Sequence, residues 1–295
     1  MTTVAVIAHA KKSIGGGLAE LREVLADAGV TDPLWYEVKK SKKVPKKARR
    51  ALEKGADLVF LWGGDGTVQR GIDALAGSDA AIAIIPAGTA NLLASNLELP
   101  DGIADAVQVG LDGARRKLDV GMVNGERFAV MAGTGLDALM IRDAKRQSKD
   151  RFGRLAYIAS GARHLRRPRM RVRVEVDGKR WFNGKATCVL VGNVGTILGG
   201  ITLFNDAEPD DGRLEVGVAT AAGSLQWARV LGRAVAGRAE RSPLVETTSG
   251  HEIDVRLEKP VPYELDGGDR APTDHLTFEI APHAVTICVP EGAKR

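Results

Sequence analysis

The sequence predicts an α/β unit followed by a β unit: first an open parallel sheet, then an antiparallel β-sandwich. Three observations lead to this prediction. In the first hundred residues, short apolar runs alternate with segments of helical periodicity, which is typical of β-α-β units. From about residue 121 onward, strand-like segments separated by turn signals prevail. The length of 295 residues exceeds what one ordinary core requires and fits two domains.

Helix-end signals and apolar runs place the elements of the first part. The predicted strands are residues 4–8, 34–38, 57–62 and 81–85, and the predicted helices are residues 18–28, 45–54, 68–75 and 89–97. Strands 57–62 and 81–85 are nearly all apolar, as expected of parallel strands that are covered on both faces. The sequence therefore predicts a Rossmann-like sheet with helices on its faces.

The second part is predicted to be mostly antiparallel. A hairpin is expected over residues 122–130, with Asn124-Gly125 as its turn. The other predicted strands are residues 169–176, 180–183, 186–193, 214–219, 252–257, 263–266, 276–280 and 285–289. Two helices are expected, at 154–165 and 224–237, and Ser224 is the expected N-cap of the second. That helix is amphipathic, and its apolar face is expected to pack within the domain.

These elements divide the chain into two predicted domains. Residues 1–120 form a nucleotide-binding α/β domain, and residues 283–295 are expected to pack back on it. Residues 121–282 form the β-sandwich domain for the substrate. No stretch reaches the ~18 uninterrupted apolar residues that a membrane span needs, so any membrane contact is expected to be peripheral.

Cysteine content and charge indicate the cellular compartment and the possible partners of the protein. Cys188 and Cys288 are too few for a disulfide framework and lie in apolar surroundings, which indicates two buried thiols in a reducing cytoplasm and leaves a single bridge as the alternative. The net charge of +5 is clustered: residues 39–50 hold eight basic residues and no acid, and residues 163–173 hold six arginines and His164. Each cluster suits anionic lipid, nucleotide phosphates or nucleic acid, or is simply solvated.

The strongest local signal is the turn Gly63-Gly64-Asp65-Gly66-Thr67, between a buried strand and a helix. Glycines let a backbone approach an anion closely, and a helix N-terminus offers free N–H groups and partial positive charge. Thr67 would cap the helix or donate to a phosphate. A carboxylate at Asp65, among amides that bind phosphate, is harder to explain structurally and is accounted for if Mg²⁺ bridges it to the phosphates; the alternative is a tight strand-to-helix turn with Asp65 exposed.

A second turn of the same kind, Pro86-Ala87-Gly88-Thr89-Ala90-Asn91, follows the next strand. In an open α/β sheet the carboxyl ends of the strands line one crevice, where ligands bind. Two glycine turns with hydroxyl groups on that rim predict a nucleotide site. The spacing is neither that of a P-loop nor that of GxGxxG.

The motifs together resemble the diacylglycerol kinase catalytic-domain family, which includes sphingosine kinases and bacterial soluble lipid kinases. They run in order over nearly the whole chain: GGDGT, PAGTAN, LDVG (118–121), GNVGTILGG (192–200), EPDDGRLEV (208–216), ELDGGD (264–269) and a final APHAVTICVP. The resemblance implies a cytoplasmic, ATP- and Mg²⁺-dependent kinase that phosphorylates a hydroxyl of a lipid at a membrane surface. It leaves the lipid open among diacylglycerol, a sphingoid base and phosphatidylglycerol, and it leaves a homodimer open.

The resemblance also implies site residues. ATP would be held by the first loop (His9, Ala10, Lys11, Lys12, Ser13), by the first glycine turn and the start of its helix (Gly63, Gly64, Asp65, Gly66, Thr67, Val68, Gln69, Arg70), and by the second turn (Gly88, Thr89, Asn91). Asp65 would organise the catalytic Mg²⁺, with Asp119 in the surrounding water network. Glu208, Asp211 and Arg213 would bind a second, structural Mg²⁺, the first and last mainly through their carbonyls.

The predicted base lies in the segment Asp266-Gly267-Gly268-Asp269, where the family has Asp-Gly-Glu. The second acid of this chain is displaced by one residue. Asp266 is the first choice for the base that takes the lipid proton, with Asp269 as its partner or replacement. The first loop also departs from the family's usual Asn-Pro-x-x-Gly, so Lys11 or Lys12 would contact phosphate or remain solvated.

Three other readings stay open. A kinase of NAD shares the GGDGT turn but is not expected to combine it with the later motifs. A second alternative is a non-catalytic nucleotide- or lipid-binding member of the family that has lost the base. A nucleic-acid-binding protein would rest on the basic runs alone, and aromatic residues, at 4%, offer few stacking platforms, so nucleic acid is not the expected partner.

Overall fold

The computed structural model describes residues 2–135, 169–197 and 201–292. The chain divides into two compact units, one of residues 1–120 with 282–295 and the other of residues 121–281. The predicted helix at 154–165, most of the arginine cluster at 163–173 and residues 198–200 lie outside the described residues.

The first unit alternates strands and helices. Its strands are β1 (Val4–His9), β2 (Leu34–Val38), β3 (Leu58–Gly63) and β4 (Ala81–Pro86), and its helices are α1 (Gly17–Asp27), α2 (Val44–Glu53), α3 (Asp65–Leu75), α4 (Leu92–Asn96) and α5 (Ile103–Asp112). A short 3-10 helix, Ser41–Lys43, precedes α2. The first half of β5 (Ala114–Val123) and the end of the last strand, β16 (Gly268–Val289), complete the unit.

The sheet of this unit is parallel, in the order β2-β1-β3-β4-β16. Every residue of β1, β3 and β4 is buried, as predicted for strands covered on both faces. Gly63 at the end of β3 lies opposite Pro86 at the end of β4. The two glycine turns therefore leave the sheet side by side at its carboxyl edge.

The second unit is antiparallel. It contains the end of β5, followed by β6 (Glu126–Phe128), β7 (Met131–Thr134), β8 (Met170–Val176), β9 (Lys179–Ala186), β10 (Cys188–Gly192), β11 (Thr196–Ile197), β12 (Ile201–Thr202), β13 (Leu214–Ala219), α6 (Gly223–Val235), a 3-10 helix (Ala239–Arg241), β14 (Val245–Gly250), β15 (Glu252–Leu265) and most of β16. The strands pair in the order β14-β13-β10-β7-β15-β16, and β8 joins β15 to β9. Alternate valine, leucine and phenylalanine side chains of these strands form one apolar core.

The fold class is confirmed: a mixed sheet with parallel N-terminal strands and a C-terminal antiparallel β unit. The hairpin prediction is also confirmed. Val123 pairs with Glu126 across Asn124 and Gly125, whose φ angles of 48° and 83° are those of a two-residue turn.

Several predicted boundaries are wrong. Helix α6 begins at Gly223 and its N-cap is Ala222, so Ser224 is not the cap; the Ala222 N–H donates to Gln226 Oε1 instead. Predicted strands 252–257 and 263–266 are one long strand, because the ladder with β16 continues across register shifts between Arg256 and Tyr263. Predicted strands 276–280 and 285–289 are also one strand, which pairs with β15 in its first part and with β4 near its end. Helix α5 was not predicted.

Cys188 and Cys288 are both buried and free, as predicted. Among the helices of the described residues, none is long and apolar enough to cross a membrane. The apolar face of α6, including Trp227, Val230 and Leu231, is buried in its unit as expected.

Candidate active site

The two glycine turns of the first unit touch each other through their backbones. A Cβ atom on Gly88 would lie 2.4 Å from the Cα of Gly64 and 2.4 Å from Asn91 Oδ1, and a Cβ on Gly64 would lie 2.9 Å from the Cα of Gly88. All three distances are too short for any side chain, so glycine is required at both positions. This contact joins the two predicted motifs into one site.

A methyl group at Gly88 is therefore expected to be costly. We expect Gly88→Ala to lower the free energy of unfolding by about 2 kcal/mol, because the Gly64 backbone on one side and the hydrogen-bonded Asn91 side chain on the other block relief of the clash. Thermal melting measures the loss. Gly66→Ala is the matched control, since a Cβ there meets nothing within 4 Å and its stability should be unchanged or slightly higher. Equal melting temperatures for Gly88→Ala and the native protein would contradict the contact.

Asp65 links the turns by hydrogen bonds. Its carboxylate accepts the N–H of Asn91, at 3.2 Å, and the N–H of Leu92, at the start of α4. Asp65 therefore has a structural role that the sequence did not indicate: it closes the N-terminus of α4, and it is half-buried at the edge of the site.

Asn91 shapes the second turn. Its Oδ1 accepts the Gly88 N–H at 2.9 Å, and its Nδ2 donates to the carbonyls of Pro86 and Gly88. The φ angle of Asn91 is 48°, in the left-handed region that asparagine tolerates. This left-handed residue is why α4 starts at Leu92 and not at Thr89, which is exposed.

Thr67 does not cap α3. The helix begins at Asp65 with Gly64 as its N-cap, three residues earlier than predicted, because Gly64 supplies the extended conformation that the cap needs. The Thr67 side chain is buried in the first turn, and its Oγ1 lies 3.4 Å from Ser41 Oγ. Sequence reasoning missed Ser41; its signal was a hydroxyl residue shortly after β2, at the same edge of the sheet.

The other predicted ATP-binding residues of α3 differ in their exposure to solvent. Val68 and Gln69 are buried, so their side chains belong to the protein interior, whereas Gly66 is exposed and Arg70 is half-buried. A ligand at this turn would meet the backbone and Arg70, and not the side chains of Val68 and Gln69.

The first loop is anchored to the same edge. The indole N–H of Trp62 in β3 donates to the Lys12 carbonyl at 3.0 Å, and the Ala10 N–H donates to the Val38 carbonyl at 2.9 Å. Burial, followed by the charges of Lys12 and Lys11, lowers the pKa of His9 below its ordinary value, so its ring is neutral at pH 7. Ser13 and Lys11 are exposed.

A polar pocket of about 540 Å³ opens beside the second turn. Its lining includes Thr89, Asn91, Ser95 and Glu98. The volume is within the usual range for sites that bind small molecules.

Asp119 is buried, and its Oδ1 accepts the His283 N–H at 2.7 Å. It therefore ties β5 to the end of the chain within the first unit. Across the ranges that the structure describes, no three His, Cys, Asp or Glu side chains lie close enough together to hold a metal ion. The predicted association of Asp119 with Asp65 around Mg²⁺ thus remains a prediction.

The acid-rich turn of the second unit contains the other predicted metal ligands. Asp211 Oδ1 accepts the Arg213 N–H at 2.8 Å, and the Arg213 guanidinium donates to Ser249. Glu208 is exposed in the same turn. The family resemblance implies that a metal here would be bound mainly through the main-chain carbonyls of Glu208 and Arg213, and this remains a prediction.

Glu215 is an acid of this region that sequence reasoning missed. Burial raises its pKa to about 7, and the negative charges of Asp211, Glu240 and Asp206 act in the same direction. The turn therefore has an excess of negative charge that a cation would relieve.

We expect Glu215 to make stability depend on pH. The pKa of Glu215 is about 7 in the folded protein, above the ordinary value of 4.5 that applies to the unfolded chain. The protonated side chain therefore stabilises the folded protein fully below about pH 4.5, and this stabilisation is lost as the pH rises through 7. Glu215→Gln should therefore flatten the fall in melting temperature over this range and be more stable than the native protein above pH 7. Parallel melting-temperature curves for the two proteins would contradict the prediction.

Asp266 forms the turn between β15 and β16. Its φ of 44° and the 74° of Gly267 are those of a two-residue hairpin turn. Its buried carboxylate accepts three backbone N–H groups, those of Ala129 at 2.8 Å and of Val130 and Met131 at 3.0 Å. At least three of its roughly four acceptor positions are thus occupied, so the carboxylate anchors the hairpin.

Unlike Asp266, which is buried, Asp269 is exposed. It pairs across the hairpin with Glu264, a buried acid that sequence reasoning did not select. Gly268, which has no side chain, stands where the family pattern has its glutamate.

The second unit also contains an apolar pocket, between α6 and the strands β10, β13 and β14. Trp227, Leu231 and Ala234 of the helix face Leu190 and Val218 of the sheet across it. Its volume of about 60 Å³ shows a narrow space, which admits only part of a hydrocarbon chain without movement of the helix.

Both units of the chain match models of known protein families. The diacylglycerol kinase catalytic domain matches residues 4–123, and the YegS C-terminal NAD kinase beta sandwich-like domain matches residues 130–289. A diacylglycerol kinase of Bacillus subtilis is 30% identical over 226 residues, which cover 75% of this chain and 74% of the relative. One of Staphylococcus epidermidis is 29% identical over 79% of this chain and 75% of its own length.

Solved structures show the same fold. A diacylglycerol kinase from Bacillus anthracis superposes with a TM-score of 0.76 at 21% identity, covering 99% of this chain and 98% of the other. An NAD kinase from Archaeoglobus fulgidus, solved in complex with ATP, has a TM-score of 0.56 at 13% identity over 98% and 94% of the two chains.

The fold and the joined glycine turns thus define a kinase of the architecture that diacylglycerol kinases share with NAD kinases. Within that class, both family models match in order, and the Bacillus subtilis relative shares 30% of its aligned residues. The chain belongs to the diacylglycerol kinase family and is a lipid kinase.

Proposed function

We propose that this kinase transfers the γ-phosphoryl group of Mg²⁺-ATP to a hydroxyl of diacylglycerol or a related lipid, such as a sphingoid base or phosphatidylglycerol. The observation that carries the proposal is the contact between the two glycine turns, fixed by Asp65 beside a polar pocket of about 540 Å³. Phosphoryl transfer requires mainly positioning and charge neutralisation, which such a site supplies.

The nucleotide would lie along the carboxyl edge of the parallel sheet. The N-terminus of α3 and the backbone of the turns offer positive potential to the phosphates, with Arg70 at the rim and Lys11 and Lys12 on the neighbouring loop. When bound, Mg²⁺ would neutralise phosphate charge. Its supporting residues would be Asp65 and Asp119 near the nucleotide, and the turn with Glu208, Asp211 and Arg213 for the structural ion.

The lipid proton needs an acceptor in the second unit. Because the Asp266 carboxylate is occupied by three N–H groups, we propose that exposed Asp269 takes the proton and that Asp266 holds the hairpin that carries it. Of the two acids that the sequence predicted as base, Asp266 and Asp269, this proposal favours Asp269.

The apolar pocket under α6 supports a lipid acceptor. Its walls are almost entirely hydrocarbon, so the part of an acyl or sphingoid chain that fits its volume of about 60 Å³ would be favoured there over a nucleotide or sugar.

One observation favours a second candidate, a non-catalytic binding protein of the family. Gly268 replaces the family's glutamate, and Asp266 is engaged in structural hydrogen bonds. Asp269 is then the one exposed acid left in residues 264–269 to serve as base.

The deciding experiment is transfer of labelled γ-phosphate from Mg²⁺-ATP to a panel of lipids in mixed micelles, with NAD included as an acceptor. We expect a labelled lipid with the native protein and with Asp79→Asn, an exposed acid of the same unit, and none with Asp65→Asn. Labelled NAD phosphate in place of lipid would establish an NAD kinase activity. ATP binding without transfer to any acceptor would establish the binding protein.

A further inference from the structure

The first unit presents a dense basic surface along α2 and the 3-10 helix before it, which we call the basic face. It consists of Lys39, Lys40, Lys42, Lys43, Lys46, Lys47, Arg49 and Arg50. All of these side chains are exposed except that of Lys47, which is half-buried. No acidic residue interrupts the run from residue 39 to residue 50.

Helix α2 has one buried side and one charged side. Val44, Ala48 and Ala51 are fully buried, so this side packs on the unit. At 100° per residue, Lys46, Arg49 and Arg50 lie on the opposite side and project to solvent. The packing therefore fixes the direction in which the basic face points.

The charges of the basic face are not neutralised within the described part of the chain. The ion pairs of the described residues include none from residues 39–50. The Lys47 ammonium lies 5.3 Å from the centre of the Tyr36 ring, which is a weak contact at this exposure. A partner with dense negative charge would offset the mutual repulsion of these cations.

We propose that the basic face binds the anionic headgroups of a phospholipid bilayer and holds the kinase on the membrane that contains its substrate. The choice of a bilayer over nucleic acid rests on the proposed function, because a lipid acceptor resides in a membrane. Residues 39–54 also contain no aromatic side chain on which bases could stack. Basic clusters of this size add membrane affinity through each lysine or arginine.

The test measures binding to vesicles without turnover. Vesicles of phosphatidylserine mixed with phosphatidylcholine, and vesicles of phosphatidylcholine alone, are sedimented with the protein; phosphatidylserine is chosen because it is not a candidate substrate. The variant carries Lys46→Gln, Arg49→Gln and Arg50→Gln. The control carries Lys117→Gln, Lys185→Gln and Lys259→Gln, which remove the same charge from exposed positions on three separate strands.

We expect the variant to bind the anionic vesicles roughly 100-fold more weakly than the native protein, and the control to lose only a few-fold. Raising salt should remove the difference. Equal losses in the two triple variants would overturn the inference, because net charge alone would then explain binding. The inference would also be overturned if the variant kept native binding to the vesicles but bound duplex DNA more weakly than the native protein.

Turnover separates this inference from the proposed function. On a short-chain diacylglycerol dissolved as monomers, the variant should keep the native kcat/KM; an equal loss there would assign the basic face to ATP and overturn the inference. Inactivity of the native protein on every lipid, with vesicle binding still lost only in the variant, would sink the proposed function and leave the membrane surface standing.

Discussion

Asp65→Asn is expected to lower kcat/KM for lipid phosphorylation by roughly 1000-fold. The amide can still accept the Leu92 N–H, so the two turns stay largely in place, but the negative charge beside the phosphates is gone. The measurement is γ-phosphate transfer at saturating lipid, with ATP binding and thermal melting recorded on the same protein.

The control for this prediction is Asp79→Asn, which removes an exposed carboxylate from the same unit and should keep native activity. A loss of melting temperature that accounts for the lost activity would show that Asp65 serves only to join the turns. Activity within a few-fold of the native value would remove Asp65 from the site.

Asp266→Asn is expected to lower the free energy of unfolding of the protein by about 3 kcal/mol. The asparagine side chain has one acceptor oxygen, and its NH₂ group would face buried N–H groups that the carboxylate now accepts. Urea denaturation followed by circular dichroism measures the change.

The chain provides a matched control in Asp177. It begins a hairpin turn with Gly178, has a φ of 50°, and accepts the N–H groups of His251 and Glu252 through an exposed carboxylate. Because water can replace those bonds, Asp177→Asn should cost at most about 1 kcal/mol. An Asp266→Asn protein of native stability whose turnover falls by more than roughly 100-fold would return Asp266 to the role of base.

The local sequence pattern was sufficient to predict much of the secondary structure of this protein. Strands 34–38 and 214–219 were predicted to the residue, because each is a short run whose apolar periodicity is bounded by turn residues. The Asn124-Gly125 turn followed from the φ preference of those two residues alone.

Long-range contacts explain what was missed. The hydroxyl of Ser41 shortly after β2 places it near the carboxyl edge of the sheet, but its approach to Thr67 depends on strand pairing, which brings together residues that lie 26 positions apart. The raised pKa of Glu215 likewise comes from burial and from acids on two separate segments, Asp206 and Asp211 in the turn before β13 and Glu240 in the 3-10 helix after α6. Strands β15 and β16 run on through polar segments because their ladder, and not the local propensity of those segments, holds them extended.

The sequence by itself determined the fold class, the family and the two glycine turns, because these depend on local residue order and on motifs that occur in sequence. Only the tertiary structure decided what the acidic residues do. Asp65 ties two turns together and Asp266 anchors a hairpin, since the N–H groups that each accepts belong to residues 26 or more positions away. Which carboxylate is occupied and which is exposed depends on packing, and residue order alone does not record it.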